Sequence, residues 1–403
     1  MQIALVENKK LWNGAVLALG ATLYHSWEWG ETRVSQGWRP WRVLAQKDGG
    51  ACAAVQIFER KVPFLGASVL YGAAGIAGND NEASVVNSLA NWTREFSAKQ
   101  NAILFRLESR FPDTDELRKK LLASVGFRQL NDQWSLWNQP RATMAIDLRG
   151  SEEELLQHMR KKHREHIRRS QRSGLKIVAT KEIGDLRTFY ELLLKSSARQ
   201  GFAVRDFSYF LRLREQLFNG DGGLLFLAQI GGRAIAGILC SQFGSTCHYL
   251  YGGFDWTARQ VHANEALHWS AIRWARKLGC NHYDMVGAGT SYPPCEGNSG
   301  YGLYNFKKGF GADLIYAAGY FDLVNRPALY ATLRFAETHT GWMTAARGIR
   351  SAIQRAVDSP RREAGLQANQ PNNDADFRDG AVPQVESEQT VRPKEEKIHW
   401  NLR

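Results

Sequence analysis

The order of strand-like and helix-like segments is the same in both halves of the chain, and it limits the possible folds more than any other feature. In the first half, the predicted elements are strands at 41–45, 51–58 and 68–71, an amphipathic helix at 82–99 and a buried strand at 102–107. In the second half, they are strands at 224–230, 234–243 and 246–252, a helix at 264–278 and a strand at 281–286. This repeated β-β-α-β order, without close sequence repetition, predicts a duplicated α/β module with a mixed sheet.

We predict four segments from these patterns. Residues 1–142 and 143–326 form the two α/β units. A basic amphipathic helix follows at 327–357; it either lies on an anionic membrane face or packs against the second unit. From 358 to 403 the chain is polar and rich in Pro, Gln, Asn, Asp and Glu, so this tail is predicted to be disordered.

The balance of charge points to anionic partners. The 403 residues carry a formal net charge of +12, and 44% of them are hydrophobic, which is enough to fill globular cores. Nucleic acid, phosphorylated intermediates and an acidic membrane face all stay open as partners. No apolar run reaches the roughly 18–20 residues that span a bilayer, and no signal-peptide pattern is present. The five cysteines show no metal-binding or redox spacing, so we expect reduced thiols in a cytosolic protein.

A strongly basic helix is predicted to open the second unit. Ser151 and Glu154 form a capping box, and the helix that they start continues to Arg172. Its cations are Arg160, Lys161, Lys162, Arg164, Arg168, Arg169 and Arg172. Two interpretations stay open: a solvated helix face, and a surface that contacts the phosphates of RNA or another ligand. No aromatic residue interrupts these cations, so base stacking is not predicted here.

The segment from Gly302 to Gly311 combines glycines, aromatic residues and the pair Lys307-Lys308. Just upstream, a short apolar strand carries a single acid, Asp284. A lysine beside glycine-rich backbone suits a phosphate or carboxylate, because the ammonium and free N–H groups both attract anions. The alternative is a surface strand whose lysines are only solvated.

A second candidate anion site lies at the start of a predicted helix. Arg205 and Tyr209 are four residues apart, so they share one helix face and can clasp a phosphate or carboxylate. The alternative is that Arg205 pairs with a nearby acid.

The histidines and one loop argue against other chemistries. The sequence gives none of His163, His166, His262 and His268 an acid partner at the spacing of a metal site or catalytic triad, so neither is predicted. Coenzyme A would need glycines in the loop before the helix at 264–278. His262 stands where such a glycine is expected, and its side chain would obstruct the pyrophosphate. This weakens coenzyme A binding but leaves it open.

Together these pieces resemble the Fem family of peptidoglycan-bridge aminoacyltransferases over roughly residues 26–323. The matching motifs include Ser26-Trp27-Glu28-Trp29-Gly30, the basic run at 161–169, Tyr249-Leu250-Tyr251-Gly252-Gly253, and Phe306-Lys307 with Gly309-Phe310-Gly311. Their order and spacing carry the resemblance. It implies two tandem acetyltransferase-like (GNAT) domains that move an amino acid from aminoacyl-tRNA to an amine of a muropeptide precursor. No covalent enzyme intermediate is implied.

The resemblance also implies roles for individual residues. Lys307 and Phe306 match positions linked to catalysis at the aminoacyl end of the tRNA, where an ammonium would stabilise the developing oxyanion. The implied precursor-binding positions are Arg33, Arg205, Tyr209, Tyr251, Asn264 and Asp284. The implied positions for RNA or phosphate are Lys161, Lys162, Arg164, Arg168 and Lys308. No metal or resident cofactor is implied, and aminoacyl-tRNA is the co-substrate.

A departure from the family pattern leaves the substrates open. Many members carry a Pro-Arg-Gly-Pro turn and a nearby acid after the third strand, where this chain has Ala73-Ala74-Gly75-Ile76 and Asn79. Asn79 cannot take a proton from the attacking amine, so the base lies elsewhere or the acceptor differs. Two alternatives are kept: a coenzyme A-dependent N-acyltransferase of envelope or exopolysaccharide synthesis that uses acetyl-CoA, and a non-catalytic module that binds anionic ligands. The expected location is cytoplasmic, with peripheral contact to the inner face of the plasma membrane as an option.

Overall fold

The computed structural model describes residues 1–63, 65–130, 140–289, 293–298 and 300–339. The helices in these ranges are α1 Lys9–Ala18, α2 Trp27–Val34, α3 Ala83–Lys99, α4 Glu116–Ser124, α5 Glu152–His158, α6 Lys161–Arg172, α7 Ile183–Gln200, α8 Phe207–Leu217, α9 Ala263–Lys277, α10 Tyr301–Lys308 and α11 Pro327–His339. Two 3-10 helices are η1 Leu23–His25 and η2 Trp256–Val261. The strands are β1 Gln2–Leu5, β2 Arg39–Lys47, β3 Gly50–Val62, β4 Ala67–Gly72, β5 Ala77–Gly78, β6 Ala102–Pro112, β7 Arg128–Gln129, β8 Ala142–Asp147, β9 Lys176–Thr180, β10 Gly223–Ile230, β11 Arg233–Phe243, β12 Thr246–Phe254, β13 His282–Gly287 and β14 Asp313–Val324.

The strands of the described ranges form one mixed sheet. Its order is β1-β2-β3-β4-β6-β14-β8-β13-β12-β11-β10-β9, with the short β5 beside β3 and β7 beside β14. Two neighbouring pairs are parallel, β4 with β6 and β12 with β13. Helix α3 lies between the first pair along the chain and α9 between the second. Each half therefore has the predicted β-β-α-β order around one parallel pair, because parallel neighbours need a crossover connection.

Strand β14 joins the two halves of the sheet. Residues 313–316 pair with β8, and residues 317–324 pair with β6. Arg106 of β6 and Asp322 of β14 form a buried bidentate ion pair with N–O distances of 2.7 and 2.8 Å. Either charge alone would be left buried without a partner, so the pair favours this strand register. A strand from the second half of the sequence thus completes the sheet of the first half, and the predicted boundary between 142 and 143 stays a prediction.

One hydrophobic cluster contains residues from both halves. It includes Trp29 and Phe58 from the first half and Phe189, Phe210 and Leu239 from the second. Large apolar side chains of this kind each contribute about 1.5–3 kcal/mol when they are fully buried. Separate clusters fill the spaces under α3 in the first half and around α9 in the second. The junction of the two halves is therefore a packed core.

Most predicted elements are confirmed, and two differ in an informative way. The capping box at Ser151 and Glu154 is present, but the single helix predicted after it is two helices, because Met159 and Arg160 are extended with ψ of 147° and 141°. The Arg160 N–H donates to the carbonyl of Gly309 at 2.9 Å, a tertiary bond in place of a helical one. The segment that contains Lys307 is the helix α10, so the alternative interpretation of a surface strand is wrong.

Residues Met1–Thr332 belong to one compact unit, and the last described residues, 333–339, belong to a second. The helix predicted for 327–357 is observed as α11 up to His339. Its remainder and the tail predicted to be disordered lie outside the described residues. Among the described residues, no helix combines the length and the apolar character that a membrane span needs.

Candidate active site

The parallel strands β12 and β13 separate from one another at the candidate site. The gap between them, which Lys307 enters, is called the fork or the lysine fork below. The two strands pair only over Thr246–His248 and His282–Asp284, although both continue further. Just beyond, Val286 has a φ of +58°, which is rare for a β-branched residue. The Asp284 carboxylate stabilises this conformation by accepting a hydrogen bond of 2.7 Å from the Val286 N–H. The last carbonyls of β13 are therefore not paired with β12.

Lys307 of α10 fills this fork. Its ammonium donates hydrogen bonds of 2.5 Å to the carbonyls of Met285 and Gly287, and it lies 5.8 Å from the centre of the Tyr249 ring on β12. The residue is only 3% exposed. Burial lowers the pKa of Lys307 to about 8, and the negative charge of Asp284 opposes that effect. Within the described part of the chain, two of the three N–H donors are used, which leaves one for another acceptor.

Contacts between α6 and α10 hold Lys307 in place. The Nε2 of His163 on α6 is 3.0 Å from the carbonyl oxygen of Phe306. A Cβ atom at position 309 would lie 1.9 Å from the His163 ring, so Gly309 makes this close approach possible. The Phe306 ring lies 5.7 Å from the His163 ring and 5.6 Å from that of His268. Phe306 is thus packed between two imidazoles beside the lysine.

A buried acid, Glu108 of β6, lies in the first half, and the sequence analysis missed it. The Tyr71 hydroxyl donates to its carboxylate, and Arg110 forms an ion pair with it at 2.6 Å. Burial raises the pKa of Glu108 to about 7, and the charges of Arg110 and Arg33 oppose that effect. The signal was present in the sequence: Arg106, Glu108 and Arg110 stand at every second position, so along a strand they share one face.

A series of neighbouring side chains runs from Asp284 to Glu108, related by charge and ring packing and, at Arg110, by an ion pair. The Asp284 carboxylate lies 4.0 Å from Nε2 of the buried His248, whose ring is 5.5 Å from that of Tyr24. The Arg110 guanidinium is 5.7 Å from the Tyr24 ring and forms the ion pair with Glu108. Burial raises the pKa of Tyr24, and the charge of Asp284 adds to that rise. Burial lowers the pKa of His248. The chain of groups crosses the junction between the two halves.

Four predicted precursor-binding residues come together at the same junction: Arg33, Arg205, Tyr209 and Tyr251. The Tyr251 hydroxyl donates to that of Tyr209 at 3.1 Å, and the Arg205 guanidinium lies 5.2 Å from the Tyr209 ring. Burial lowers the pKa of Arg33 to about 10, and the nearby charge of Arg205 adds to this while Tyr209 opposes it. The Nε of Arg33 is buried without a hydrogen-bond partner among the described residues. Two guanidiniums with an unused donor are suited to an anion. Arg205 was predicted to share a helix face with Tyr209, but it precedes α8 and the N-cap residue Asp206, so that part of the prediction is wrong.

The basic face of α6 borders an open groove of about 1100 Å³. The groove is lined by Lys161, Lys162, Glu165, His166, Arg169, Arg172 and Ser173. Arg168 is exposed on the same helix, and Lys308 is exposed at the end of α10.

Two other predicted binding residues lie elsewhere. Arg164 donates to the carbonyls of Leu156 and Met159 at the end of α5, so its guanidinium helps to anchor that helix. Asn264 lies in the first turn of α9, and no hydrogen bond within the described ranges links it to Arg33.

One histidine does have an acid partner, which corrects the expectation from sequence spacing. The Nδ1 of His166 lies 2.7 Å from a carboxylate oxygen of Glu265, 99 residues away. The His262 ring stacks on His166 at 3.6 Å with an interplanar angle of 10°, and ligand atoms of all three residues lie within 4.8 Å of one another. Stacked rings direct their lone pairs in parallel, whereas a shared metal needs them to converge. Burial lowers the pKa of His262, and the charges of Arg169 and Lys162 act in the same direction. The group therefore fits a divalent cation poorly.

Comparisons with known proteins agree with this architecture. A family model described as an acetyltransferase (GNAT) domain matches residues 157–307. The lipid II:glycine glycyltransferase of Staphylococcus aureus (strain USA300) is 24% identical over 378 residues, which cover 75% of this chain and 88% of that protein. The crystal structure of FemX is 21% identical with a TM-score of 0.76, covering 82% of this chain and 99% of that one. A tandem GNAT protein from the clavulanic acid biosynthesis pathway is 11% identical with a TM-score of 0.50, covering 80% of this chain and 98% of that one.

The fold and these relatives define an enzyme, an acyltransferase built as a tandem GNAT-like α/β protein, as the sequence predicted. More particularly, the chain is a homologue of the Fem-type lipid II:glycine glycyltransferases, and the resemblance to the Fem family is confirmed. The non-catalytic alternative is thereby set aside.

Proposed function

We propose that this acyltransferase moves an amino acid from aminoacyl-tRNA to an amine of a lipid-linked peptidoglycan precursor. The observation that carries the proposal is Lys307, a buried ammonium held by two backbone carbonyls in the fork between β12 and β13. Homology to a glycyltransferase named for lipid II supports the class of acceptor.

The proposed reaction is an attack of the amine nitrogen on the ester carbonyl of the aminoacyl-tRNA. A C–N bond forms, and negative charge develops on the carbonyl oxygen, where the remaining N–H of Lys307 stabilises it. The tetrahedral intermediate collapses, the C–O bond to the terminal ribose breaks, and the ribose hydroxyl leaves with a proton. With a pKa of about 8, Lys307 is still mostly protonated at neutral pH and can supply this charge.

Glu108 is the proposed base for the attacking amine. Asn79, which stands where many Fem-family members carry an acid, is exposed and bonded to Glu82 at 3.4 Å. Glu108 has a pKa of about 7 because of its burial, so near neutral pH it can accept the proton that the amine loses. Arg110 pairs with Glu108 and lies near Tyr24, which in turn is close enough to Asp284 for that charge to affect its pKa.

The Arg33 group is the proposed holder of the acceptor's anionic part. Arg33, Arg205, Tyr209 and Tyr251 present two guanidiniums and two hydroxyls at one place. A diphosphate or a carboxylate would use the buried Nε of Arg33, which has no protein partner among the described residues. Because a lipid-linked acceptor is presented at a membrane surface, we also propose that the protein works at the cytoplasmic face of the plasma membrane. Its net charge of +12 would favour an anionic leaflet there.

The groove along α6 is the proposed path of the RNA. Lys161, Lys162 and Arg169 line it with exposed cations, which suit a phosphate backbone. The coenzyme A alternative is less well supported, because the N-cap position of α9 is held by His262, which has a side chain where the pyrophosphate loop needs a glycine. A pyrophosphate would have to approach the first N–H groups of this helix closely.

The proposal is tested with two labelled donors on the same acceptors. Bulk tRNA charged with radiolabelled amino acids and labelled acetyl-CoA are each incubated with lipid-linked and soluble muropeptide precursors. We expect label to move from tRNA only. Label moving only from acetyl-CoA would refute aminoacyl-tRNA as the donor, while the fold assignment would stand.

A further inference from the structure

We infer that an exposed patch around Trp256 is a second contact surface for the RNA donor, on which an unpaired base stacks. The inference rests on the proposed function, because it takes RNA as the donor. The patch consists of Arg199 near the end of α7 and of Trp256 and Arg259 on η2, and it is called the Trp256 patch below.

The indole of Trp256 is both exposed and held in place. Trp256 is 48% exposed. The Arg199 guanidinium lies 4.2 Å from its ring centre and that of Arg259 lies 5.5 Å away. Phe254 supports the ring edge-on at 6.2 Å. Cation–π contacts of this kind orient the ring while a large part of it stays open to a ligand.

The charges around the patch leave it positive. The neighbouring acid, Asp255, is occupied by Lys195 at 3.3 Å and Arg233 at 3.7 Å. Among the described residues, neither Arg199 nor Arg259 forms an ion pair with a carboxylate. The patch therefore combines a flat aromatic surface with two uncompensated guanidiniums. Nucleotides fit this chemistry, because bases stack on aromatic rings and guanidinium planes while phosphates attract the charge.

The Trp256 patch is connected to the groove along α6 by η2 and by the stacked rings of His262 and His166. Segment η2 runs from Trp256 to Val261 and leads directly to His262, whose ring stacks on His166 of α6. Segment η2 has a kink at Ala258, so these six residues do not form one straight helix. The sequence predicted no base stacking because α6 carries no aromatic residue; the fold supplies one from a different element. A membrane-interface patch would instead need a broad apolar area around the indole, whereas two guanidiniums lie against this one.

The test measures binding of fluorescein-labelled, uncharged bulk tRNA to the full-length protein by fluorescence anisotropy at several salt concentrations. Trp256→Ala should weaken binding by about 5- to 150-fold, the effect of losing one base stack, and Trp256→Phe should keep most of the affinity. Arg259→Gln should reduce the slope of log affinity against log salt by about 0.7–0.9. The matched control is Arg212→Gln, which removes a half-buried cation that is paired with Glu215 on α8 and should leave the affinity unchanged.

The outcomes separate this inference from the proposed function. No binding of tRNA by the wild-type protein at low salt would refute both. Binding by the wild type, with equal affinity in Trp256→Ala and Arg259→Gln, would overturn only the patch. Unchanged tRNA binding, with lost binding of Trp256→Ala to vesicles containing phosphatidylglycerol, would assign the patch to a membrane instead. If Trp256→Ala does not fold, the salt slope of Arg259→Gln decides the matter, because it removes only an exposed charge.

Discussion

Replacing Lys307 by methionine should abolish most of the turnover while the protein stays folded. Methionine keeps the length and much of the volume of the lysine side chain but donates no hydrogen bond. Loss of one donor that stabilises an oxyanion lowers kcat by about 100- to 1000-fold. We expect a decrease of that size for Lys307→Met, with a much smaller change in the KM for the acceptor.

The structure also sets the expected change in stability. The pKa of Lys307 falls from 10.5 to about 8, which means that burial disfavours the charged lysine by about 3 kcal/mol. Methionine removes that penalty but leaves the carbonyls of Met285 and Gly287 without the ammonium, at about 1–3 kcal/mol each. The two effects nearly cancel, so the free energy of unfolding should change by less than about 3 kcal/mol.

The assay compares label transfer from charged tRNA by the wild type, Lys307→Met and a matched control, with thermal denaturation of all three. The control is Lys120→Met, an exposed lysine on α4, which should leave both turnover and stability unchanged. A folded Lys307→Met enzyme that keeps turnover within tenfold of the wild type would remove this lysine from the mechanism.

Three further predictions follow from particular contacts. As the pH increases, kcat/KM should rise through about pH 7, because Glu108 must lose its proton, and fall through about pH 8, because Lys307 must keep its own. In Glu108→Gln the rising limb of this pH profile should be absent. Asp322→Asn should destabilise the fold by about 3–5 kcal/mol in chemical denaturation, because its buried arginine partner loses a carboxylate; an unchanged midpoint would contradict this. Gly309→Ala should destabilise by about 1–3 kcal/mol, since the new Cβ meets the His163 ring, and adding His163→Ala should recover part of the loss.

Local patterns were enough to predict most of the architecture. The helix predicted at 82–99 is observed as α3, Ala83–Lys99, because its apolar residues recur at helical spacing. The same kind of pattern could not show the break at Met159, which depends on a hydrogen bond to the distant carbonyl of Gly309. Nor could it show that β14 crosses from one half of the sheet to the other.

In the candidate site, too, local motifs could be predicted and tertiary contacts could not. The motif around Lys307 could be recognised from its sequence, but its burial and its two carbonyl partners depend on how β12 and β13 separate. Glu108 was missed because the strand predicted at 102–107 ends just before it, whereas β6 continues to Pro112. The pairing of His166 with Glu265 was missed because the sequence spacing of ligands says nothing about contacts across 99 residues.

The most direct test of the central claim is the mass of the product and the position of the new bond. Wild-type enzyme, charged tRNA and a lipid-linked muropeptide precursor are incubated, and the product is examined by fragmentation mass spectrometry. We predict a mass increase of one aminoacyl residue, joined through an amide to an amine of the precursor. A precursor that stays unmodified with charged tRNA, but gains an acetyl group when acetyl-CoA is supplied, would contradict the claim.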